Sequence, residues 1–185
     1  CNKLPFNLVF HEFESNQSSL IFEDRTVEVY TIPLRHRLPC CGFLFKEKKL
    51  PNHLIRSVAD FYGVPMSQYN IIKNGADFVT SEGEVVPNSA LTIPSYTPRS
   101  YAYCSYTCFK PDIVSLIDGV NVLFHEATFQ DVDEPRAKET YHSTATQAAT
   151  IAKEAHAGQL VIGHFSARYD DENVLLAEAQ KTFPN

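Results

Sequence analysis

Ionisable and hydroxyl side chains stand where apolar, strand-like segments end in this sequence. The apolar run at residues 122–124 is followed at once by His125 and Glu126, after which the sequence turns apolar again. Residues of similar kinds follow or precede other predicted elements: Ser105, Tyr106, Thr107, His142, His164 and Ser166. Ionisable groups at the end of a buried strand are costly unless something nearby uses them. Imidazoles with a carboxylate indicate a metal site or general acid–base chemistry.

The order of strand-like and helix-like segments predicts an α/β or α+β fold, with sheet layers and covering helices. The predicted strands are 6–13, 19–24, 27–34, 41–46, 100–105, 120–124 and 160–166. The predicted helices are 52–63, 111–118, 144–158 and 171–183. Residues 63–98 contain four prolines and are predicted to form a long irregular excursion. In layered α/β folds ligands collect at one set of strand ends, so the side chains named above should meet there.

Local signals predict where two of these helices begin and end. Asn52 can cap the helix predicted at 52–63, and Gly63 can terminate it. Thr144 and Gln147 have the spacing of a capping box, and Gly158 can close the helix that they open. The second helix therefore begins directly after His142 and Ser143, so the start of the helix should fix the position of His142.

The charge distribution is uneven. The 185 residues carry a formal net charge of −6, which argues against a general nucleic-acid coat protein. Basic residues nevertheless cluster between positions 35 and 56, where Glu47 alone is acidic: Arg35, Arg37, Lys46, Lys48, Lys49 and Arg56. This cluster is either a solvated face or a local phosphate-binding patch.

The cysteines, the apolar segments and the first residue limit the kinds of protein to which this sequence can belong. Five cysteines without a repeated Cys-x-x-Cys pair favour free, mostly buried thiols over a disulfide framework or a zinc ribbon. No apolar stretch approaches the roughly 20 residues that a membrane-spanning helix needs, and no signal peptide is apparent. The sequence begins with Cys1 rather than Met, so we expect it to be part of a longer protein.

Three ordered motifs carry a family resemblance. "HEATF" at 125–129, "YHSTATQAATIAKEA" at 141–155 and "LVIGHFSARY" at 160–169 closely resemble the C-terminal motifs of ribonuclease Z. That family is the tRNA 3′-processing endonuclease of the metallo-β-lactamase superfamily. The segments "PLRHRLPCCGFLF" and "YGVPMSQYNIIKNGADFVTSEGEVV" also resemble it, so the similarity runs from about residue 6 to the end.

The resemblance implies a fold and a domain organisation. It implies the αββα sandwich of the metallo-β-lactamase superfamily, of which the chain would represent the C-terminal two-thirds. Residues 1–185 would form a single domain that lacks the N-terminal part with the family's His-x-His-x-Asp-His motif. Residues 47–90 would correspond to a reduced tRNA-binding arm.

The resemblance also implies roles for individual residues. His36 and His164 would be zinc ligands, with two zinc ions per active site in the full-length protein. His142 would handle a proton or stabilise charge beside the scissile phosphate. Glu126 would be a carboxylate that fixes a histidine tautomer at the catalytic edge, together with His125. Substrate contacts would come from Ser166, Arg168, Lys46, Lys48 and Lys49.

Two departures from the family pattern bear on activity. The chain contains no His-x-His pair, so most of the family's zinc ligands are absent. Tyr106 stands at the position of the family's bridging aspartate. Phenols have a reference pKa of about 10, so a tyrosine cannot act as a bridging carboxylate without a large shift. The two predicted imidazole ligands do not complete a catalytic zinc site, which normally has three protein ligands.

The sequence therefore predicts a zinc-dependent endoribonuclease that removes the 3′ trailer from tRNA precursors, of which this chain is an incomplete part. We expect a cytoplasmic, homodimeric protein that does not enter a membrane. Two alternatives stay open: a catalytically inactive homologue that binds RNA or a partner, and a phosphodiesterase of the same fold that acts on small esters. A third treats the strand-end histidines as incidental core residues, which leaves the ordered motifs unexplained.

Overall fold

The computed structural model describes residues 5–185, which divide into two compact units. One unit ends at Lys46 and resumes over Arg99–Asn185, and the other is Glu47–Pro98. The strands are β1 Leu20–Glu23, β2 Val27–Pro33, β3 Cys41–Glu47, β4 His53–Leu54, β5 Phe78–Val79, β6 Val85–Val86, β7 Thr92–Ile93, β8 Ser100–Cys104, β9 Val122–Glu126 and β10 Gln159–Gly163. The α-helices are α1 Arg56–Phe61, α2 Tyr69–Lys73, α3 Asn88–Leu91, α4 Glu134–Thr140, α5 Ala145–Glu154 and α6 Asn173–Thr182.

The first unit is built on a six-stranded mixed sheet in the order β1-β2-β3-β8-β9-β10. Strands β1 and β2 pair antiparallel, as do β3 and β8, whereas β8, β9 and β10 run parallel. The parallel strands are joined by crossovers that contain a 3₁₀-helix (Pro111–Leu116) or α5, as parallel pairing requires. The α/β class is therefore confirmed.

One face of this sheet carries the core. Ala102, Cys104 and Leu123 point from β8 and β9 toward Ile113 and Ile151 on the crossover helices, and all five are fully buried. A second cluster packs α5 against α6 through four alanines and one leucine: Ala145, Ala148, Ala149, Ala179 and Leu175. Burial alternates along β8, because successive side chains of a strand point to opposite faces of the sheet.

The opposite face of the sheet presents aromatic side chains. Phe45 stacks on Tyr101 across β3 and β8, with ring centroids 5.9 Å apart, and Tyr103 stacks on Phe124 at 4.9 Å. Phe45, Tyr101 and Tyr103 are each 37–38% exposed. Aromatic pairs between neighbouring strands stabilise a sheet even where its face is accessible to solvent.

The second unit, Glu47–Pro98, has its own small core. Two short antiparallel pairs, β4 with β7 and β5 with β6, frame the short helices. Ala59, Ile72, Phe78 and Leu91 are buried there, and Asn88 donates hydrogen bonds to the carbonyls of two neighbouring turns. The excursion predicted at 63–98 thus contains defined short elements. Its correspondence to a tRNA-binding arm stays a prediction.

The capping box is present as predicted. The Thr144 hydroxyl accepts from the Gln147 amide at 3.3 Å, and the Gln147 side chain accepts from the Thr144 amide at 3.1 Å. Gly158 does not end this helix, because α5 stops at Glu154 and the turn that follows uses His156 with φ +49°.

Two further local predictions were wrong. Residues 6–13 form no strand, since no neighbouring segment pairs with them among the described residues. Asn52 caps no helix: residues 53 and 54 pair with β7, so α1 begins only at Arg56, and the Asn52 side chain instead donates to Asn88 and Thr92. In both cases pairing partners distant in sequence decided the conformation.

The four cysteines that the structure describes are free thiols, as predicted, but only Cys104 among them is buried, so the expectation of mostly buried thiols was wrong; Cys1 lies outside the described residues. Burial raises the pKa of the Cys104 thiol to about 12, so this side chain behaves as a core residue. Within residues 5–185 no helix is long and apolar enough to cross a membrane.

The capping box yields a stability prediction. Thr144→Ala should lower the free energy of unfolding by about 1 kcal/mol, because the amide of Gln147 loses its acceptor. Urea unfolding measures this loss. Thr144→Ser, which keeps the hydroxyl, should lose less than half as much; equal losses for both variants would assign the effect to the missing methyl group.

Candidate metal centre

The parallel strands bring their carboxyl ends to one edge of the sheet. Cys104 pairs with His125 across β8 and β9, and Gly163 pairs with Glu126 across β9 and β10. The residues that follow each strand therefore emerge side by side, as ligand-binding loops do in open α/β sheets. Tyr106, Glu126 and His164 are gathered in this way, and the sequence-based expectation that strand-end residues meet is confirmed for these three.

The Glu126 carboxylate is the centre of this edge. It is fully buried and accepts four hydrogen bonds, from the Thr107 amide (2.6 Å), the Thr128 hydroxyl (2.6 Å), His142 Nδ1 (2.9 Å) and the Ser143 amide (3.2 Å). All four partners donate, which is the environment of an ionised carboxylate. Glu126 therefore joins the loops after β8 and β9 to the segment that enters α5.

Hydrogen bonds fix the tautomer of three imidazoles. The Nδ1 atoms of His142 and His36 face pure acceptors, the Glu126 carboxylate at 2.9 Å and the Tyr141 carbonyl at 3.1 Å. Nδ1 of His164 lies 2.9 Å from the Thr128 hydroxyl, whose proton is already donated to Glu126. Each Nδ1 therefore carries a proton, and each Nε2 offers a lone pair. Metal-binding histidines are commonly oriented in this way.

The three rings lie against one another. The ring centroids of His36 and His142 are 5.1 Å apart, and those of His142 and His164 are 5.2 Å apart. The ring of Tyr106 completes the group, at 4.4 Å from His164, 5.5 Å from His36 and 6.0 Å from His142. All three imidazoles are partly exposed, so solutes can reach them.

Backbone strain is concentrated around this group. Tyr106, Tyr141 and His164 have φ values of 59°, 60° and 61°, in the left-handed region that is uncommon for residues other than Gly, although Asn, Asp and His are enriched there. Each such residue costs about 1–2 kcal/mol. The Tyr141 conformation ends α4 and turns its carbonyl toward His36, so here the strain orients an imidazole. Strain of this kind is characteristic of functional sites.

His125 is placed differently from the other histidines. It is fully buried, its Nδ1 donates to the Glu126 carbonyl at 2.7 Å, and its Nε2 has no partner among the described residues. Burial lowers the pKa of this imidazole, which favours the neutral form. The structure therefore does not bring His125 into the imidazole group, and its predicted catalytic role stays a prediction.

The residues predicted to bind substrate fall in several places. The Ser166 amide donates to the Thr128 carbonyl, next to the imidazoles. The Arg168 guanidinium lies 4.9 Å from the Phe129 ring and pairs with Asp133 at 2.8 Å. Phe129 in turn lies 6.2 Å from the His142 ring, so Arg168 is one side chain removed from the centre.

The three predicted lysines are not part of this group. Lys46 is exposed on β3, with its ammonium 5.6 Å from the Tyr30 ring. Lys48 and Lys49 belong to the second unit, where Lys49 borders a small surface pocket beside Asn52. Their roles as substrate contacts stay predictions.

A cavity of about 270 Å³ opens beside His142. Two cations, Arg35 and Lys138, line it together with the rings of Tyr141 and Phe109. Aromatic faces beside positive charges are suited to nucleotides, whose bases stack and whose phosphates carry negative charge.

The donor set fits one divalent metal ion. A ligand atom from each of Glu126, His142 and His164 lies within 4.8 Å of the other two. Part of this close approach is the hydrogen bonding described above. The Glu126 oxygens already accept four hydrogen bonds, so the atoms with a lone pair available to a metal ion are the imidazole Nε2 atoms. His36 is not part of that group, so the nitrogen ligands that meet here are those of His142 and His164. Among the described residues, no carboxylate without such partners stands ready to bridge a second ion.

Several contributing residues received no role from sequence reasoning. Thr128 and Ser143 supply donors to Glu126, as does Thr107, which the sequence had placed at a strand end without a specific role; a short polar residue at a buried strand or helix end is the signal that could have found the first two. Tyr141 acts through its carbonyl oxygen, which every residue type carries. No pattern of side chains could have identified it.

The Glu126 network predicts a joint effect on stability and metal binding. Glu126→Gln replaces an acceptor with an amide that must direct its NH₂ group at one of the buried donors. We expect a loss of about 1–3 kcal/mol in unfolding free energy and a ten- to hundredfold weaker affinity for Zn²⁺, of the order seen when groups that orient metal ligands are removed. Urea unfolding and calorimetric Zn²⁺ titration at pH 7 measure both. Glu178→Gln, which bonds Asp131 and Gln130 away from the imidazoles, is the matched control and should leave Zn²⁺ binding unchanged.

Comparison with known proteins agrees with the geometry. The chain is 60% identical over 185 residues to a ribonuclease Z of Bacteroides fragilis, covering 100% of this chain and 61% of the relative. It is 61% identical over 184 residues to a ribonuclease Z of Bacteroides thetaiotaomicron, covering 100% of this chain and 58% of that protein. The chain thus spans about three-fifths of the length of these curated relatives. No family model matches it.

A solved structure supports the fold independently. A metallo-β-lactamase fold protein from Bacillus subtilis superposes with a TM-score of 0.57 at 14% identity, covering 92% of this chain and 48% of that one. At this identity the likeness speaks for the fold alone. The superposition therefore supports the metallo-β-lactamase fold, and the sequence comparison shows that the chain is similar to ribonuclease Z over all of its residues.

Proposed function

We propose that this chain forms the catalytic edge of a metal-dependent endoribonuclease that removes the 3′ trailer from tRNA precursors. The observation that carries the proposal is the group of three imidazoles, each with a fixed Nδ1–H, built around the buried Glu126. The name that the relatives share, ribonuclease Z, supports this substrate class.

His142 is suited to proton transfer at the leaving oxygen. Its Nδ1–H donates to a buried carboxylate, so a proton on Nε2 would form an imidazolium that Glu126 stabilises. Nε2 is then the atom that gives the proton to the departing 3′ oxygen of the tRNA. The His142 side chain is 15% exposed, which holds the ring in place while leaving its open edge accessible.

His36 and His164 would hold zinc through their Nε2 atoms, with the remaining ligands supplied by sequence that the relatives carry and this chain does not. The predicted second zinc ion finds no bridging carboxylate among the described residues, so it would depend on that further sequence. When bound, zinc supplies a Lewis acid that neutralises charge on a phosphoryl oxygen.

The substrate would approach across the cavity beside His142. Arg35 and Lys138 would contact phosphates on either side of the scissile bond, and the rings of Tyr141 and Phe109 would meet a base or ribose. The lysines at 46, 48 and 49 remain candidates for contacts further along the tRNA. We expect the whole protein to act in the bacterial cytoplasm as a homodimer, as the family resemblance implies.

A second candidate function follows from Tyr106. A phenol in place of an acidic ligand favours a homologue that binds RNA or a partner without cleaving it. A phosphodiesterase that acts on small esters is the remaining alternative, which the relatives' shared name disfavours.

Cleavage of a tRNA precursor tests the proposal. We would join this chain to the remaining sequence of its Bacteroides fragilis relative and supply a precursor with a labelled 3′ trailer and Zn²⁺. The expected products are a tRNA with a 3′ hydroxyl and a trailer with a 5′ phosphate. His142→Ala should lower the rate at least a hundredfold, since general acid catalysis contributes about 10²–10⁴-fold.

The same chimera separates the alternatives. Precursor binding without cleavage, in both the parent and a Tyr106→Asp variant, would favour the inactive homologue. Hydrolysis of a chromogenic phosphodiester with no cleavage of the precursor would favour the small-ester enzyme. His156→Ala is the control for His142, because His156 is an exposed histidine paired with Asp118 away from the centre.

The cavity predicts a salt-dependent binding effect. Arg35→Ala and Lys138→Ala should each weaken precursor binding by the chimera and lower the slope of log affinity against log salt by about 1, the value for one lost phosphate contact. Filter binding at several salt concentrations measures the slope. Arg136→Ala is the matched control, because Arg136 lies on the same helix as Lys138 but pairs with Glu139 and does not line the cavity. An unchanged slope in both cavity variants would contradict the assignment.

A further inference from the structure

We propose that Tyr141 stacks on an unpaired base of the RNA substrate next to the scissile phosphate. The inference rests on the proposed function and adds a residue that holds the substrate at the catalytic edge. It follows from the backbone conformation of Tyr141, the surroundings of its ring and its position between two cavities.

The backbone role of position 141 is one that glycine serves best. Helix α4 ends in a Schellman motif, in which the Tyr141 amide donates to the Lys138 carbonyl at 3.4 Å. The next amide, that of His142, donates to the Ala137 carbonyl at 2.8 Å. The left-handed residue of this motif is usually glycine, yet here it is Tyr141, with φ +60°. Glycine would keep these bonds and the carbonyl that faces His36 without the strain of a side chain, so the reason for a tyrosine lies in its ring.

The ring of Tyr141 contributes little to the packing of the protein. It joins none of the three hydrophobic clusters of the described residues, and its hydroxyl makes no hydrogen bond within residues 5–185. In the same part of the chain it has one ring contact, edge to face with His36 at 6.3 Å between centroids. That distance is near the upper limit for aromatic pairs. Internal packing therefore does not account for the strained tyrosine.

Tyr141 borders two cavities at the catalytic edge. One is the cavity with Arg35 and Lys138 in its wall. The other, also of about 270 Å³, is lined by His36, Arg37, Glu139, Thr140, Tyr141 and His142. Tyr141 and His142 line both, and each cavity has a cationic side chain in its wall. A strand whose scissile phosphate lies at His142 would pass the Tyr141 ring with one nucleotide in each cavity.

Stacking is the interaction that a tyrosine ring offers to such a strand. Unpaired RNA bases stack on aromatic side chains, and removal of the ring weakens binding roughly five- to 150-fold for each stacked base. Cations bind the phosphates, so the contribution of the ring should not depend on charge. The base must be unpaired, because a base within a duplex has both faces covered by its neighbours.

Glycine at position 141 should raise stability and weaken RNA binding together. In the chimera described above, Tyr141→Gly should raise the Tm by about 2–4 °C, because it relieves a left-handed side chain. It should bind a tRNA precursor at least about fivefold more weakly, the lower limit for one stacked base. Fluorescence anisotropy in EDTA measures the affinity without cleavage. The slope of log affinity against log salt should stay unchanged, since no charge is lost.

Three variants isolate the ring. Tyr141→Phe keeps it and should bind within about twofold of the parent. Tyr141→Asn suits the left-handed conformation with less freedom than glycine and should lose as much affinity as Tyr141→Gly. His156→Gly is the matched control, because α5 ends in the same motif with His156 at φ +49°, exposed and paired with Asp118. Its Tm should also rise, while its RNA affinity should equal that of the parent.

An abasic nucleotide on either side of the scissile bond tests the stacking itself. Removal of the base that meets Tyr141 should abolish the difference in affinity between the parent and Tyr141→Gly, at one of the two positions at least. An equal loss on all three precursors would assign the effect to displacement of His36 or His142 and would overturn the inference. Unchanged affinity in Tyr141→Gly would also overturn it, since the ring would then serve only to pack against His36.

Cleavage separates this inference from the proposed function. Precursor binding that depends on the Tyr141 ring, with no cleavage once Zn²⁺ is added, would support the inference and contradict the proposed function. Cleavage by a Tyr141→Gly variant that binds as tightly as the parent would do the reverse. If the parent chimera binds no precursor, both are wrong.

Discussion

The buried carboxylate of Glu126 is the interaction on which the rest of the site depends. An ionised group in the interior is costly to desolvate, and here four donors from three separate segments compensate it. Because two of these donors are backbone amides, the network fixes the course of the chain as well as the side chains. The loop after β8, the end of β9 and the entry to α5 are held in one arrangement by a single side chain.

The same hydrogen-bond network orients the imidazole rings. Glu126 fixes His142 directly and His164 through the Thr128 hydroxyl, while the strained Tyr141 turns its carbonyl toward His36. Left-handed residues and a buried charge both lower stability. The sheet and the two packed helices, α5 and α6, provide the stability that lets these costs be concentrated at one edge.

High sequence identity and a single unusual residue carry different information about this chain. Identity of about 60% over every residue includes the core as well as the motifs, so the similarity to ribonuclease Z extends over the whole of this chain. Tyr106 bears on whether the site keeps a family-like set of metal ligands, as does the absence of a His-x-His pair from this chain. Homology therefore supports the fold more firmly than it supports the chemistry of this particular centre.

The sequence by itself determined the α/β class, the capping box at Thr144 and the convergence of strand-end residues. These depend on local periodicity and on the rule that parallel strands end at one edge. Only the tertiary structure decided that His125 lies in the core, that residues 6–13 form no strand, and that the Tyr141 carbonyl orients an imidazole. Those outcomes depend on which distant segments supply hydrogen-bond partners, and a partner more than 100 positions away, as Tyr141 is from His36, leaves no trace in local sequence.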